Sequence, residues 1–226
     1  MFEKILTTQN LLYLLNGLKM SLIVASLSFV FGTLLGIVGA AMKISQNKFL
    51  RAIAKAYVDI IRGTPMLLQI LFIYLGLPIL YRRITGSILR INPYIAGTFA
   101  ISFNSGAYTT ELIRSSIQAI DKGQWEASKT LGLNKNQIMK LIILPQAFTN
   151  IIPPLVSELI TLIKDSCLIS TIGATELLYS SQILGANYYN YVGPLLIASL
   201  MYLVVTYIVS GLSSKLEKRL HQHDQS

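Results

Sequence analysis

The chain contains little charge, few acidic residues and a single cysteine. Only 13% of its 226 residues are charged, and 10 residues are Asp or Glu. The lone Cys167 excludes an intramolecular disulfide and is predicted to be a small packing residue. The two histidines lie on the C-terminal tail, where they are predicted to be solvated, so no metal site is predicted. The shortage of charge favours lipid over water as the main solvent of the chain.

Apolar residues, by contrast, make up 53% of the chain. They gather in five runs, and each run with its flanks reaches roughly the 20 residues that a tilted helix needs to cross about 30 Å of hydrocarbon. The runs show no period-2 alternation, which favours helices over a β-barrel. We therefore predict an all-α membrane protein with five transmembrane helices that form a single domain over residues 1–226. The runs are residues 22–42, 66–80, 95–101, 151–163 and 192–209.

The net charge of +9 is distributed as in a membrane protein rather than a nucleic-acid-binding protein. If the first span runs inward, most of the 19 Lys and Arg residues lie in cytoplasmic segments. The positive-inside rule then predicts a multi-pass cell-membrane protein with its N-terminus outside and its C-terminus in the cytoplasm. Arg82, Arg83 and Arg90 would lie outside, against the rule, and they either serve a docking partner or are tolerated. The residues predicted inside are Lys43, Lys48, Arg51, Lys55, Arg62, Arg114, Lys122, Lys129, Lys135, Lys140, Lys215, Lys218 and Arg219.

Local patterns predict how the spans begin and pack. Residues 1–18 are predicted to form an N-terminal interfacial helix. Small residues recur along the first span, which indicates a face for close helix packing, within this subunit in preference to a dimer seam. Gly63-Thr64-Pro65 predicts a break near the cytoplasmic entry of the second span, and Pro153-Pro154 predicts an early interruption of the fourth. The small residues are Ser21, Ala25, Ser28, Gly32, Gly36 and Ala40.

Polar side chains inside the spans are candidates for a substrate site, because polar groups within a membrane are costly without a partner. Asn104, Tyr108 and Glu111 share one face of the third span, since they are spaced at i, i+4 and i+7. Glu111 lies near the cytoplasmic boundary, where pairing with Arg114 or with a helix end is favoured over ligand binding. Asp165 either guards the outer entry or forms an ion pair with the preceding lysine. The predicted substrate-binding residues are Gln69, Asn104, Tyr108, Glu158 and Asp165.

The longest cytoplasmic segment, residues 115–145, is patterned as two short helices. The first covers residues 124–131 and is stopped by Gly132. Asn134 caps the second, Gln137 completes a capping box, and this helix runs to Pro145. Two helices meeting at a sharp angle below the membrane are typical of a docking element for a cytoplasmic partner. The alternative is an amphipathic loop that lies on the lipid surface.

The segment also carries a recognisable signature. Glu126-Ala127-Ser128, Gly132 and Ile142-Ile143-Leu144-Pro145 match the spacing of the EAA loop, so the chain resembles the permease subunits of ABC importers. Ser128 stands where the family commonly has a second alanine, and Ser166-Cys167 replaces its usual threonine-serine. Over nearly the whole chain, further motifs resemble the histidine/glutamine/arginine-type polar amino acid permeases. These include Arg62-Gly63-Thr64-Pro65, Asn104-Ser105-Gly106-Ala107-Tyr108, Pro153-Pro154-Leu155 and Lys164-Asp165-Ser166.

This resemblance implies the fold and the partners of the chain. The fold is that of a type I ABC importer transmembrane domain, with the EAA helix in a cleft of a separate ATP-binding subunit. The implied assembly has two ATP-binding subunits, a second permease subunit of the same or a different sequence, and an extracytoplasmic amino-acid-binding protein. The chain itself is then no enzyme, since ATP and Mg are held by the partner subunits. The residues implied to couple the permease to the ATP-binding subunit are Glu126, Ala127, Ser128, Gly132, Leu133 and Pro145.

Residues 123–130 resemble a phosphate-binding loop, but Ser128 stands in place of the second glycine and no strand precedes the segment. The chain is therefore expected to bind no ATP. The main expectation is uptake of a polar amino acid, with a basic one favoured by Glu158, through alternating access around a site near the membrane centre. The alternatives are an ABC permease for another small polar solute, a secondary transporter or channel without an ATPase, and a membrane scaffold or sensor subunit.

Overall fold

A computed structural model describes residues 7–223, with side chains to Lys215, and within these ranges every regular element is helical. The predicted solvation of the histidine tail therefore concerns side chains outside the described residues. Eight helices follow one another within residues 7–223. They are α1 (Thr8–Ile44), α2 (Lys48–Arg62), α3 (Met66–Thr85), α4 (Pro93–Gln118), α5 (Lys122–Thr130), α6 (residues 135–165), α7 (Leu177–Asn187) and α8 (Val192–His223), with a 3-10 segment at Ser166–Ile172 between α6 and α7.

The five predicted runs lie in the five long helices α1, α3, α4, α6 and α8. Three of these, α1, α3 and α8, are long and apolar enough throughout to cross a membrane by length and composition. The other two carry more polar side chains, and most residues of α4 between Ala96 and Thr110 are buried against neighbouring helices, although Ile95 and Phe99 remain exposed. A helix shielded by its neighbours does not need an apolar surface.

The first helix begins earlier than the predicted first span. Residues 8–18 are the opening turns of α1, capped by the Thr7 side chain, and no boundary separates them from the rest of the helix. The separate interfacial helix predicted over residues 1–18 is therefore not seen in its described part, and residues 1–6 lie outside the described residues. At 1.5 Å per residue, the 37 residues of α1 span about 55 Å, which exceeds the hydrocarbon thickness.

The core of the bundle is the pair α1 and α4, which form the most extensive helix contact. The six small residues singled out in the first span are all buried. A Cβ atom added at Gly32 would lie 2.7 Å from Ser105 Cβ, and one at Gly36 would lie 2.5 Å from Thr109 Cβ. The small-residue face therefore packs within this subunit, as predicted, and it allows the two backbones to approach closely.

The chain is interrupted at Gly63-Thr64-Pro65, as predicted, but at a different depth. The helix α2 ends at Arg62 and α3 begins after Pro65. Tyr57 on α2 donates a hydrogen bond to the Phe103 carbonyl at 2.6 Å, near the middle of α4. The break therefore lies beside the centre of α4 and not at the membrane entry. The prediction placed it too low because α2, a helix of mixed polarity, was taken for part of a cytoplasmic loop.

Two π-helical segments, Phe72–Gly76 in α3 and Ile138–Ile143 in α6, each stand directly before a proline-containing turn. At their ends the Leu77 amide donates to the Phe72 carbonyl and the Leu144 amide to the Met139 carbonyl, five residues back. The following proline lacks an N–H and would clash with the carbonyl four residues back, and the wider turn accommodates it.

The helix α6 is consequently continuous where the sequence predicts two interruptions. Its parts, Lys135–Gln137, Ile138–Ile143 and Leu144–Asp165, join without a loop, so the second coupling helix does not end at Pro145. Pro153 and Pro154 likewise lie inside the helix. Removing two backbone donors does not break a helix whose remaining hydrogen bonds are protected from water.

Buried hydrogen bonds connect three helices at the end of the bundle that lies away from α5. Glu176 is fully buried and caps α7, accepting hydrogen bonds from the amides of Leu178 at 2.9 Å and Tyr179 at 2.8 Å. Its carboxylate also accepts from Ser21 on α1 and from Tyr202 on α8. This carboxylate has enough donors to be stable inside the fold, and it ties three helices together.

Candidate functional site

A polar cavity of about 500 Å³ lies beside the break between α2 and α3. One wall is the break itself, from Arg62 to Met66, and the others come from α4 and α6. Four of the five predicted substrate-binding residues line it, and these are Asn104, Tyr108, Glu158 and Asp165. Non-helical backbone at this depth is tolerated where it borders a cavity, because water or a ligand can meet its free polar groups.

The acidic wall of the cavity is one face of α6. Glu158, Thr161 and Asp165 are spaced at i, i+3 and i+7, so their side chains project from the same side of the helix. Glu158 accepts a hydrogen bond from the Ser105 hydroxyl at 2.7 Å. No ion pair joins either carboxylate to a cation among the described residues, and the predicted alternative of a pair between Asp165 and Lys164 is not formed. Both carboxylates are therefore available to a ligand.

Arg62 is the cation of the same cavity, and the sequence prediction placed it wrongly in a cytoplasmic loop. Its guanidinium carbon lies 5.0 Å from the centre of the Tyr108 ring, which is the geometry of a cation–π contact. The side chain is exposed to the cavity and forms no ion pair within the described part of the chain. Its position directly before Gly63-Thr64-Pro65 was the available signal, because broken helices in membrane proteins border cavities and ligand sites. Thr161 was missed as well, although it shares the helical spacing of Glu158 and Asp165.

Gln69 is the one predicted substrate residue that does not line the cavity. Its amide nitrogen donates to the Ile61 carbonyl at 2.8 Å and to the Thr64 hydroxyl at 2.8 Å, so it bridges the break. Its amide oxygen accepts from Asn104 at 3.0 Å. Gln69 therefore holds the shape of the break and orients Asn104, and its predicted contact with the substrate stays a prediction.

Between the cavity and the coupling segment, Glu111 is paired with protein groups and is not free for a ligand. It accepts a hydrogen bond from Arg114 at 2.7 Å and also forms an ion pair with Lys43 at the end of α1. The predicted pairing with Arg114 is confirmed. Glu111 thus ties the last turns of α4 to those of α1, about two turns before α4 ends at Gln118.

The coupling segment consists of α5 and the first turns of α6. The side chain of Asp121 caps α5, and Gly132 follows the helix with a φ of 78°, a left-handed conformation that suits glycine. The predicted capping box of Asn134 and Gln137 is present. Beneath the two helices lies a small apolar core formed by Ile117, Ile120, Ile138, Ile143 and Ala147. The segment is therefore a folded element with its own core and not a loose loop.

The predicted coupling residues divide into an outer and an inner group. Glu126, Ala127, Gly132 and Pro145 are exposed. Ser128 is buried and donates to the Gln124 carbonyl, and Leu133 packs against the small core, so these two support the element from within. Two exposed leucines were missed: Leu131 is 80% exposed and Leu141 is 63% exposed. Exposed leucines beside an exposed glutamate indicate a surface that a protein partner covers.

Comparison with known proteins gives the same picture. Residues 32–222 match the family model described as "Binding-protein-dependent transport system inner membrane component". The chain is 38% identical to a putative glutamine transport system permease protein of Rickettsia bellii, over 97% of this chain and 99% of that protein. It is 40% identical to the arginine transport system permease protein of Bacillus subtilis, over 94% of each.

A solved structure shares the fold. It is described as an amino acid ABC transporter with histidines, and it superimposes with a TM-score of 0.87 at 37% identity, covering 93% of this chain and 95% of that one. The similarity extends over almost the entire length of both chains. The chain belongs to the family of inner-membrane components of binding-protein-dependent transport systems, as a permease subunit of the ABC importer type.

Proposed function

We propose that this permease carries a polar amino acid into the cell through the cavity beside the break, with a preference for a basic amino acid. The observation that carries the proposal is the charge arrangement of the cavity. Arg62 lies on one wall, Glu158 and Asp165 lie on another, and none of the three is neutralised by an ion pair in the described structure.

The charges fit the groups of a basic amino acid. Its carboxylate suits the guanidinium of Arg62, which can bind both oxygens at once. Its α-ammonium suits one of the two carboxylates and its cationic side chain suits the other, which we assign to Glu158. A neutral polar amino acid would leave one carboxylate without a partner, which is costly inside a membrane. Asn104 and Thr161 add uncharged hydrogen-bonding groups between the two ends.

The same proposal assigns the coupling segment to a separate ATP-binding subunit. The exposed residues Glu126, Ala127 and Leu131 would enter a cleft of that subunit, and Gly132 would shape the turn that follows. ATP hydrolysis would then rock the helices between outward and inward access to the cavity. The assembly would contain two ATP-binding subunits, a second permease subunit and an extracytoplasmic amino-acid-binding protein, with the N-terminus of this chain outside and its C-terminus in the cytoplasm.

The preference for a basic amino acid is tested by equilibrium binding to the purified permease–ATPase complex without its binding protein. Glu158→Gln removes one negative charge and keeps the shape of the side chain. Because a charge-assisted hydrogen bond is worth about 1.5–3 kcal/mol, arginine affinity is expected to fall about 10- to 100-fold. Glutamine affinity is expected to change much less, because glutamine has no side-chain cation.

Ser157→Ala is the control, since Ser157 is an exposed neighbour of Glu158 on α6 and is not among the residues that line the cavity. It is expected to leave both affinities unchanged. Equal arginine affinity in the wild type and Glu158→Gln would contradict the assignment of this carboxylate. An equal loss for arginine and glutamine would contradict the preference for a basic substrate.

A further inference from the structure

A group of exposed arginines stands at the end of α3 and just beyond it. Arg82 and Arg83 lie in the last turn of α3, which Gly86 ends in the left-handed conformation, and Arg90 follows in the segment that leads to α4. All three are exposed, and none takes part in an ion pair within the described residues. Residues 60–110 contain no Asp or Glu, so no acidic residue of this stretch can neutralise them.

Exposed aliphatic side chains accompany the arginines. Ile84 is 83% exposed and Ile88 is 69% exposed, and Tyr81 is 41% exposed in the preceding turn. We call these three residues together with Arg82, Arg83 and Arg90 the outer arginine patch. Arginine and tyrosine around exposed aliphatic residues form the composition of protein–protein contact sites.

The patch lies at the end of the bundle opposite the coupling segment. The helix α4 begins next to the patch and ends next to α5, and its 26 residues span about 39 Å. A partner at this end therefore approaches from the side of the membrane away from the ATP-binding subunits. The family requires such a partner, because its transport depends on a binding protein.

The patch is also connected to the cavity. The helix α3 runs without a loop from Met66, which lines the cavity, to Thr85 in the patch. Its only irregularity is the π-helical segment Phe72–Gly76. A partner that holds the outer end of α3 is thus placed to displace the wall formed by Pro65 and Met66.

We infer that the outer arginine patch binds an acidic surface of the extracytoplasmic binding protein and that α3 passes this contact to the cavity. The inference rests on the proposed function, since it names a partner of the same transport system. The three arginines supply the electrostatic attraction to the acidic surface, and the binding protein covers Ile84 and Ile88 when it docks. Lipid phosphates are the alternative ligands for these arginines, and the experiment separates the two.

The experiment uses the intact permease–ATPase complex in phosphatidylcholine nanodiscs with the amino-acid-binding protein of the same system. The variant is Arg82→Gln, Arg83→Gln and Arg90→Gln combined. The concentration of binding protein that half-maximally stimulates ATP hydrolysis is expected to rise about tenfold or more, because charges at the edge of an interface act mainly on association. The maximal stimulated rate is expected to be unchanged, and the salt dependence of stimulation is expected to weaken.

Lys19→Gln is the control, an exposed cation on the outer half of α1 outside the patch, and it is expected to leave stimulation unchanged. Equal half-maximal concentrations in the triple variant and the wild type would overturn the inference. A shift that appears only in nanodiscs containing phosphatidylglycerol would also overturn it, in favour of lipid binding. Amino acid uptake is measured in parallel, so that stimulation without uptake would contradict the proposed substrate and leave the docking result to be judged separately.

Discussion

The close packing of α1 against α4 predicts a large effect from a single added methyl group. A Cβ atom at Gly36 would lie 2.5 Å from both Cβ and Cγ2 of Thr109. Carbon atoms pack best at about 3.5–4.0 Å, so Gly36→Ala must push the helices apart by about 1 Å. Because the contact involves the branch point of Thr109 and not a flexible chain end, rotation of the side chain gives little relief.

The cost of such overpacking is about 1–3 kcal/mol. For a chain of this size, each kcal/mol lowers the melting temperature by about 2–4 °C, so Gly36→Ala is expected to melt about 2–12 °C below the wild type. The single cysteine provides the assay. Cys167 is half-buried in the 3-10 segment, and its reaction with a thiol-specific fluorescent dye on heating reports unfolding.

Gly211→Ala is the matched control, because no atom lies within 4 Å of a Cβ added there. It is expected to melt at or slightly above the wild-type temperature, since alanine favours the helix. Combining Gly36→Ala with Thr109→Gly removes the clashing atoms, so the two changes together should cost less than the sum of their separate effects. A wild-type melting temperature for Gly36→Ala, or strictly additive effects in the double variant, would refute the argument.

Two further predictions concern the cavity and the coupling segment. Arg62→Met is expected to weaken arginine binding about 10- to 100-fold but to leave agmatine, which lacks the α-carboxylate, nearly unaffected; an equal loss for both ligands in equilibrium binding would contradict the role of Arg62. Gly132→Ala places a side chain at a φ of 78°, at a cost of about 1–2 kcal/mol, and is expected to reduce co-purification of the ATP-binding subunit. Gly173→Ala has nearly the same φ and equally open surroundings, so similar losses in both variants would show that strain alone is responsible.

The sequence predicts best those features that depend on local chemistry. Glu111 was expected to pair with Arg114, three residues later on the same helix, and it accepts a hydrogen bond from Arg114 at 2.7 Å. The Asn134 capping box and the glycine after α5 were also predicted correctly. Each of these depends on one or two side chains and the backbone next to them, so the relevant information lies within a few residues of sequence.

Features that depend on neighbouring helices were predicted less well. The helix α2 carries Asp59 and several cations, so its hydropathy resembles that of a loop, yet it is buried at Ala54 and Val58 against the bundle. Pro153 and Pro154 were expected to interrupt α6, because proline breaks helices in water. Inside a bundle the alternatives to a helix expose more unpaired backbone groups than two missing donors do.

The candidate site was predicted in part for the same reason. Glu158 and Asp165 were identified because carboxylates in an apolar run are unusual wherever they point. Arg62 was missed because its role depends on how deep in the bundle it lies. That depth is set by the contact between α2 and α4, which the sequence does not show. Gln69 was predicted to bind the substrate because the sequence shows an amide side chain in an apolar run. The sequence does not show that this amide bonds to Ile61 and Thr64.

The packing also determines which parts of the permease can move. The helices α1 and α4 are joined by close backbone contact at Gly32 and Gly36 and by the Glu111 ion pair at their ends, so they behave as one rigid body. At the break, the nearest atoms to a Cβ added at Gly63 belong to the backbone of α2 itself, and the side chains of Gln69 and Thr64 hold the gap through hydrogen bonds to the carbonyls of Ile61 and Ile60. We therefore expect a push on α5 to be transmitted along α4, and α2 and α3 to rotate about residues 63–65. The cavity lies at this boundary between the rigid pair and the hinge, so a small rotation there changes the distance between Arg62 and the carboxylates of α6.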